Sequence, residues 1–150
     1  MREPTYTTSW SATAPVGTFA ALTNPAASGR IYRIASAFIT NAASTQIRLY
    51  RSQATQPSGG TSVSLIANPR DTAFPASAAI ARYYTAAPAP GSREHLLLLA
   101  SYTGAAANQW NAAPRPSIAE ITLRPGETLE IDTTVGTTYQ VSISWTESPQ

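Results

Sequence analysis

Cysteine and lysine are absent from the 150-residue sequence, and histidine occurs once. Without cysteine the chain can hold no disulfide, no thiolate metal site and no cysteine nucleophile. The one histidine, His95, cannot supply the several ligands of a cupin-type metal site, and no elbow motif of a serine hydrolase accompanies it. We therefore predict a non-enzymatic protein that needs no cofactor, in which His95 has a structural or interface role.

Long apolar runs and helical patterns are also absent. The first residues, MREPTY, lack the apolar run of a signal peptide, and the longest aliphatic stretch, residues 96–100, is far too short to span a bilayer. No segment repeats apolar residues at the i, i+3, i+4, i+7 spacing of an amphipathic helix. These absences predict a soluble all-β protein with no membrane partner.

Charge is sparse, with ten arginines, eight acidic residues and a formal net charge of +2. The arginines stand singly among the acids, so the sequence predicts no nucleic-acid patch. Arginine suits protein interfaces because its planar guanidinium forms forked hydrogen bonds. A GC-rich coding sequence would produce the same preference for arginine, and composition alone leaves both explanations open.

The sequence does contain a series of short segments in which apolar and polar residues alternate, a pattern typical of β-strands. Residues 30–40 (RIYRIASAFIT) and 45–51 (TQIRLYR) are predicted to form an antiparallel pair, and residues 63–65, 81–85 and 95–101 continue the series. About eight or nine strands at this spacing favour a two-sheet antiparallel β-sandwich, jelly-roll-like in its topology. Four consecutive leucines in the 95–101 segment predict a strand covered on both faces, or one that meets another subunit.

The clearest pattern lies in the last third of the chain. Segments 118–123 and 129–132 flank Pro125 and Gly126, the residue types that a type II turn requires at its two central positions. The acidic residues Glu120, Glu130 and Asp132 are predicted to lie on solvent-facing strand positions. The predicted core residues are Ile34, Phe38, Ile47, Leu49, Leu97, Leu99, Ile121, Leu123, Leu129, Ile131, Val141, Ile143 and Trp145.

Domain organisation is predicted as one sandwich over residues 15–150, preceded by an N-terminal arm or edge strand over residues 1–14. Threonine, serine and proline dominate the N-terminal segment, which therefore has too little apolar content to fold alone. Aromatic and arginine side chains dominate binding hot spots and provide the recognition candidates. They are Arg2, Tyr6 and Trp10 in the arm, the adjacent Tyr83 and Tyr84, and Trp110 beside amide side chains, where it suits sugar or protein equally.

The order of these segments resembles that of small virion proteins of tailed bacteriophages. The resemblance rests on LTNPAASGRIYRIASAFIT, then IRLYRSQATQPSGGTSVSL, then NPRDTAFPASAAIARYYTAAPAPG, then ITLRPGETLEI, and a last strand ending VSISWTE. It covers nearly the whole chain and carries no catalytic residue. The resemblance implies a β-sandwich that decorates or cements the capsid, or a related head or tail accessory protein, and that is usually oligomeric.

From these observations we expect a structural protein located in the virion and made in the host cytoplasm. Its expected partners are the major capsid protein and further copies of itself, as a trimer or dimer. The alternatives are a carbohydrate-binding or receptor-binding domain of a phage tail or fibre, and a tail or neck connector.

Overall fold

The computed structural model describes residues 3–42, 45–52, 57–102, 106–111 and 121–150, with the backbone alone for residues 95, 97–102 and 106–111. The described residues form strands and no helix, which confirms the predicted all-β class. The strands are β1 (Thr5–Thr13), β2 (Gly17–Thr23), β3 (Arg30–Asn41), β4 (Thr45–Ser52), β5 (Thr61–Leu65), β6 (Asn68–Pro69), β7 (Ile80–Ala86), β8 (Arg93–Tyr102), β9 (Ala106–Asn111), β10 (Thr122–Leu123), β11 (Thr128–Thr133) and β12 (Thr138–Pro149).

The strands form two antiparallel sheets that pack face to face. Sheet A has the order β10-β3-β12-β1-β6, with β9 also paired to β3, and sheet B has the order β5-β7-β2-β11-β4-β8. The first four strands alternate between the sheets, and the first and last strands are neighbours in sheet A. Strands β1, β12, β3 and β9 thus oppose β2, β11, β4 and β8, which is the predicted jelly-roll arrangement, and β7 and β5 extend sheet B.

The predicted pairing of the two segments near residues 30–51 is wrong. The first is β3, which pairs with β12 in sheet A, and the second is β4, which pairs with β11 and β8 in sheet B. Both strands bury one face in the same core, so they lie opposite each other rather than side by side. Short-range pattern cannot distinguish these arrangements, because either one buries the same residues.

The predicted turn at Pro125 and Gly126 is confirmed. Gly126 has a φ of 89°, and the N–H of Glu127 donates to the carbonyl of Arg124 at 3.0 Å. Only glycine adopts such a positive φ without strain. The turn joins β10 of sheet A to β11 of sheet B and so carries the chain across one end of the sandwich.

Most of the predicted core is buried between the sheets. The buried members are Ile34, Ile47, Leu49, Ile121, Leu123, Leu129, Ile131, Val141, Ile143 and Trp145. The side chains of Leu97 and Leu99 lie outside the described residues. Phe38 is the error, because its side chain is 39% exposed and its neighbour Ile39 is buried instead.

A β-bulge in β3 explains the error at Phe38. Ile34 pairs with Trp145 and Ser36 pairs with Ser144, so Ala35 is the extra residue. An extra residue reverses which side chains face the core on either side of it. Even-numbered residues of β3 are therefore buried before the bulge and odd-numbered residues after it.

Of the two forms predicted for the N-terminus, an arm or an edge strand, residues 5–13 adopt a strand. Every residue of β1 pairs with β12, from Thr5 opposite Thr146 to Thr13 opposite Thr138, and only β6 flanks its other side. The long registered pairing supplies the stability that the segment's composition could not. Within the described residues the segment belongs to sheet A of its own chain.

Candidate interaction surfaces

Those recognition candidates whose side chains the structure describes do not form one site. Arg2 lies outside the described residues, and so does the side chain of Trp110, whose backbone on β9 pairs opposite Ala37. Tyr6 is 2% exposed and stacks on Trp145 with ring centroids 6.0 Å apart. It packs in the core of its own chain.

The two adjacent tyrosines of β7 point to opposite faces of sheet B, as neighbouring residues of a strand must. Tyr83 points towards sheet A and stacks on Trp10, with ring centroids 6.2 Å apart. Tyr84 points away from sheet A, yet it is only 3% exposed. Tyr83 and Tyr84 therefore cannot act together as one stacking platform.

The outer face of sheet A carries mainly hydroxyl side chains where β1, β12 and the second half of β3 pair, and we call this part the hydroxyl face. Two arginines border it: Arg70 Nη2 donates to Ser144 Oγ at 3.2 Å, and Arg33 lies opposite Thr146. Strands β1 and β12 alternate core residues with small polar ones, and their registered pairing aligns the polar residues in rows with those of β3. Its members are Thr5, Thr7, Ser9, Ser11, Gln140, Ser142, Ser144, Thr146, Ser36, Phe38 and Thr40.

Hydrogen bonds link neighbouring hydroxyls on this face. Ser9 Oγ donates to Ser142 Oγ at 3.1 Å, and Thr7 Oγ1 donates to the carbonyl of Ile143 at 3.2 Å. Phe38 stands among these groups beside a shallow depression of about 340 Å³. The uncharged alternation of TYTTSWSAT and TYQVSISWT was visible in the sequence, but its pairing into one surface was not.

The outer face of sheet B is different, because it carries buried charges. The prediction that Glu130 and Asp132 are solvent-facing is wrong: they are 0% and 2% exposed. Each points away from sheet A, as the alternation requires, but neither reaches water. Glu120, the third acid of that prediction, lies outside the described residues.

Two arginines neutralise these acids. Arg48 donates to Asp132 Oδ1 through Nε at 2.9 Å and also through Nη2. Arg93 lies 3.3 Å from Asp132 Oδ2 and 4.0 Å from Glu130 Oε1. We call Arg48, Arg93, Glu130 and Asp132 the ion network. Since they stand on β4, β8 and β11, the network ties three strands of sheet B together.

Hydroxyl and aromatic groups complete the surroundings of the network. Ser52 Oγ donates to Glu130 Oε2, and Thr18 Oγ1 donates to Glu130 Oε1 at 3.3 Å. The guanidinium carbon of Arg93 lies 3.9 Å from the ring centroid of Tyr50, close enough for a cation–π contact. Burial raises the pKa of Tyr84 on the same face; Arg82 opposes this rise and Glu130 adds to it.

Two connections of sheet B are hydrogen-bonded to each other. The connection from β4 to β5 and the connection from β7 to β8 each join strands from opposite halves of sheet B, and their described parts pair through Ser58 and Ala89. Gly60, with a φ of 68°, has no room for a Cβ, which would lie 2.5 Å from the carbonyl of Ala86. Pro57 and Pro88 are buried.

At the end of the sandwich formed by the start of β1 and the end of β12, a buried carboxylate lies close to two tyrosines. Glu147 is 5% exposed, and Trp145 Nε1 donates to its Oε1 at 3.1 Å. Burial, with a further contribution from the charge of Glu147, raises the pKa of Tyr32 to about 12. The pKa of Tyr6 is raised by the same two causes.

In the part of the chain that the structure describes, no group of three or more histidine or acidic side chains could hold a metal ion. No described helix is long and apolar enough to cross a membrane. Comparison with protein-family models, with curated proteins and with solved structures found no match.

Proposed function

We propose that this chain is a non-enzymatic structural protein of a tailed-bacteriophage particle, a decoration or cement protein that bridges neighbouring capsid subunits. The phage assignment rests on the resemblance of the segment order to small virion proteins. The hydroxyl face is the observation that carries the docking role. Its partner in this proposal is the major capsid protein, and the chain acts as a trimer or dimer.

The composition of the hydroxyl face suits a protein interface. Interface centres are depleted of charged residues and enriched in aromatic ones. Serine and threonine hydroxyls cost less to desolvate than charged groups, and each can donate and accept hydrogen bonds. Phe38 offers an aromatic anchor whose side chain is already held on a paired strand.

Repetition on a capsid lattice would strengthen a modest contact. When several copies of a small patch bind at once, avidity replaces a large single interface. The ion network favours a scaffold role for sheet B, because buried and hydrogen-bonded charges hold its strands in one arrangement. Sheet A would then provide the contact surface.

The position of the gene is the first test. A gene beside that of the major capsid protein supports decoration, and a gene in a genome without phage head or tail genes overturns the proposal. A gene beside tail-fibre genes favours the alternative of a carbohydrate-binding or receptor-binding domain. That alternative has one observation in its favour, since Phe38 among hydroxyls also suits the face of a neutral sugar.

The second test measures binding to particles. Purified protein is added to particles of the encoding phage that lack it, and bound copies are counted after sedimentation and by electron microscopy. Phe38→Ser should lower occupancy at least about tenfold, as expected for an interface anchor. Ile66→Ser is the matched control, because Ile66 is 78% exposed and lies off the hydroxyl face. Equal occupancy for both variants at wild-type level would overturn docking through this face.

A further inference from the structure

A cavity of about 540 Å³ opens at the end of the sandwich where β1 begins and β12 ends. Its apolar walls come chiefly from Pro4 and from the irregular segment between β6 and β7. The apolar lining residues of that segment are Phe74, Pro75, Ala76 and Ala78. Tyr6 anchors the segment, because its hydroxyl donates to the carbonyl of Pro75 at 2.9 Å. The cavity is therefore bounded on one side by paired strands.

Glu147 lines this cavity, and its buried side chain is the feature that indicates a ligand. The side chains of Ser77 and Trp145 both donate to its Oε1. Within the described residues no ion pair involves Glu147. A buried carboxylate normally has a cationic partner, because desolvating an unpaired charge is costly.

The other charged groups around the cavity do not supply that partner. Glu3 is engaged with Arg33, whose Nη1 lies 3.1 Å from Glu3 Oε1. Arg30 lines the cavity but forms no ion pair with Glu147, and both residues belong to the described part of the chain. Since Arg33 neutralises Glu3, the described charged groups of the lining that form no ion pair are Glu147 and Arg30. Of these two, the buried carboxylate of Glu147 is the group that a positively charged occupant would pair with.

We infer that this cavity, separate from the hydroxyl face, binds the side chain of an arginine or lysine presented by a partner protein. The guanidinium or ammonium group would pair with Glu147, and the aliphatic stem would lie against Phe74 and Pro75. Long basic side chains bury their methylene groups on apolar surfaces while the charged end finds a polar partner. Charge and shape therefore point to the same occupant.

The probe for this site is N-acetyl-arginine N-methylamide, and its control is the citrulline analogue, which has nearly the same shape without the charge. The indole N–H resonance of Trp145 reports binding, because that group donates to Glu147. We expect a saturable shift with arginine, with a Kd on the order of 1 mM, and at least tenfold weaker binding of citrulline. Equal binding of the two probes, or no shift of Trp145 with arginine, would overturn the inference.

Variants distinguish a loss of arginine binding at the cavity from a general effect on the protein. Glu147→Gln keeps an acceptor for Ser77 and Trp145 and should abolish the preference for arginine over citrulline. Phe74→Ala should weaken arginine binding severalfold. It provides the test of the site if Glu147→Gln fails to fold. Glu94→Gln is the charge-matched control, since Glu94 pairs with Arg51 away from the cavity. Retained arginine preference in Glu147→Gln would contradict the assignment.

One further variant excludes an internal occupant. Arg2 directly precedes Glu3 in the sequence, so Arg2→Gln is measured without any probe. If this variant alone reproduces the Trp145 shift of Glu147→Gln, the chain's own arginine fills the site and the inference is wrong. An unchanged Trp145 signal in Arg2→Gln, together with arginine binding, supports a partner's side chain. None of these outcomes depends on binding to phage particles, so the proposed function is tested separately.

Discussion

The outer faces of the two sheets come from the same alternating sequence pattern but differ in how far their side chains are exposed to solvent. On sheet A, the residues that alternate with the core form the hydroxyl face, where Ser9 and Ser11 are exposed. On sheet B, Glu130 and Asp132 occupy equivalent positions and are almost wholly buried. Alternation predicts which side chains point away from the core. Whether those side chains reach water depends on segments far away in the chain.

This difference in burial predicts that the two faces respond differently to mutation. Buried ion pairs are costly to form, and removing one partner leaves an uncompensated charge. Small hydroxyls on an exposed sheet contribute little to stability and remain available for contacts. Sheet B is therefore expected to respond strongly to mutation of its outer polar residues, and sheet A is expected to tolerate such mutation.

The strongest test of this comparison is Asp132→Ala. Asp132 faces both Arg48 and Arg93, so its removal leaves two arginines without their main carboxylate partner. We expect a loss of about 3–5 kcal/mol in the free energy of unfolding, measured by chemical denaturation. Ser142→Ala on the hydroxyl face is the control and should change stability by less than about 0.5 kcal/mol. Similar losses for both variants would show that the two faces do not differ as described.

The bulge in β3 provides the next test, on neighbouring residues of one strand. Ile39→Ala removes a fully buried side chain and should cost about 2–5 kcal/mol. Phe38→Ala removes a larger side chain from the hydroxyl face and should cost no more than about 1 kcal/mol. The free energy of unfolding of both variants is measured by thermal or denaturant unfolding. A larger loss for Phe38→Ala would restore the uninterrupted alternation expected from the sequence.

Much of the architecture could be predicted because it depends on local chemistry. Strict alternation placed Val141, Ile143 and Trp145 on the inner face of the last strand, and the Pro125-Gly126 pair identified a turn by its backbone requirements. These features follow from side-chain period and φ preference alone. The two-sheet fold then followed from the number and spacing of such segments.

What could not be predicted depends on contacts between distant residues. The bulge at Ala35 is defined by pairing with β12, more than one hundred residues away in sequence. Glu130 is buried beside Arg93, Ser52 and Thr18, which come from other strands of sheet B, and no local sequence pattern predicts these neighbours. The cavity beside Glu147 likewise combines the start of β1 and the end of β12 with the segment before β7. Long-range pairing, rather than propensity, determined each of these features.

Alkaline titration gives a third way to compare the faces, because Tyr84 is buried on the same face of sheet B as Glu130. Burial raises the pKa of Tyr84 above its ordinary value of 10.0. Tyr32, which lies in the core, serves as the reference, since its pKa is raised to about 12. The described hydroxyl face contains no tyrosine and should contribute nothing in this range.

We predict that the protein loses stability as the pH rises from 10 to about 12, the interval between the ordinary and the raised pKa of Tyr32. The unfolded chain loses the Tyr32 proton at a lower pH than the folded chain does. Ionisation between these two pKa values therefore favours the unfolded state. The contribution of Tyr32 is complete below pH 10 and is lost through pH 12, with a size on the order of 2–3 kcal/mol. Tyr32→Phe should flatten this decline in denaturant midpoints measured across the interval, and Tyr84→Phe should flatten it in the same direction. If Tyr84→Phe leaves the decline unchanged while Tyr32→Phe reduces it, water reaches the Tyr84 hydroxyl and the outer face of sheet B is more open than its buried acids imply.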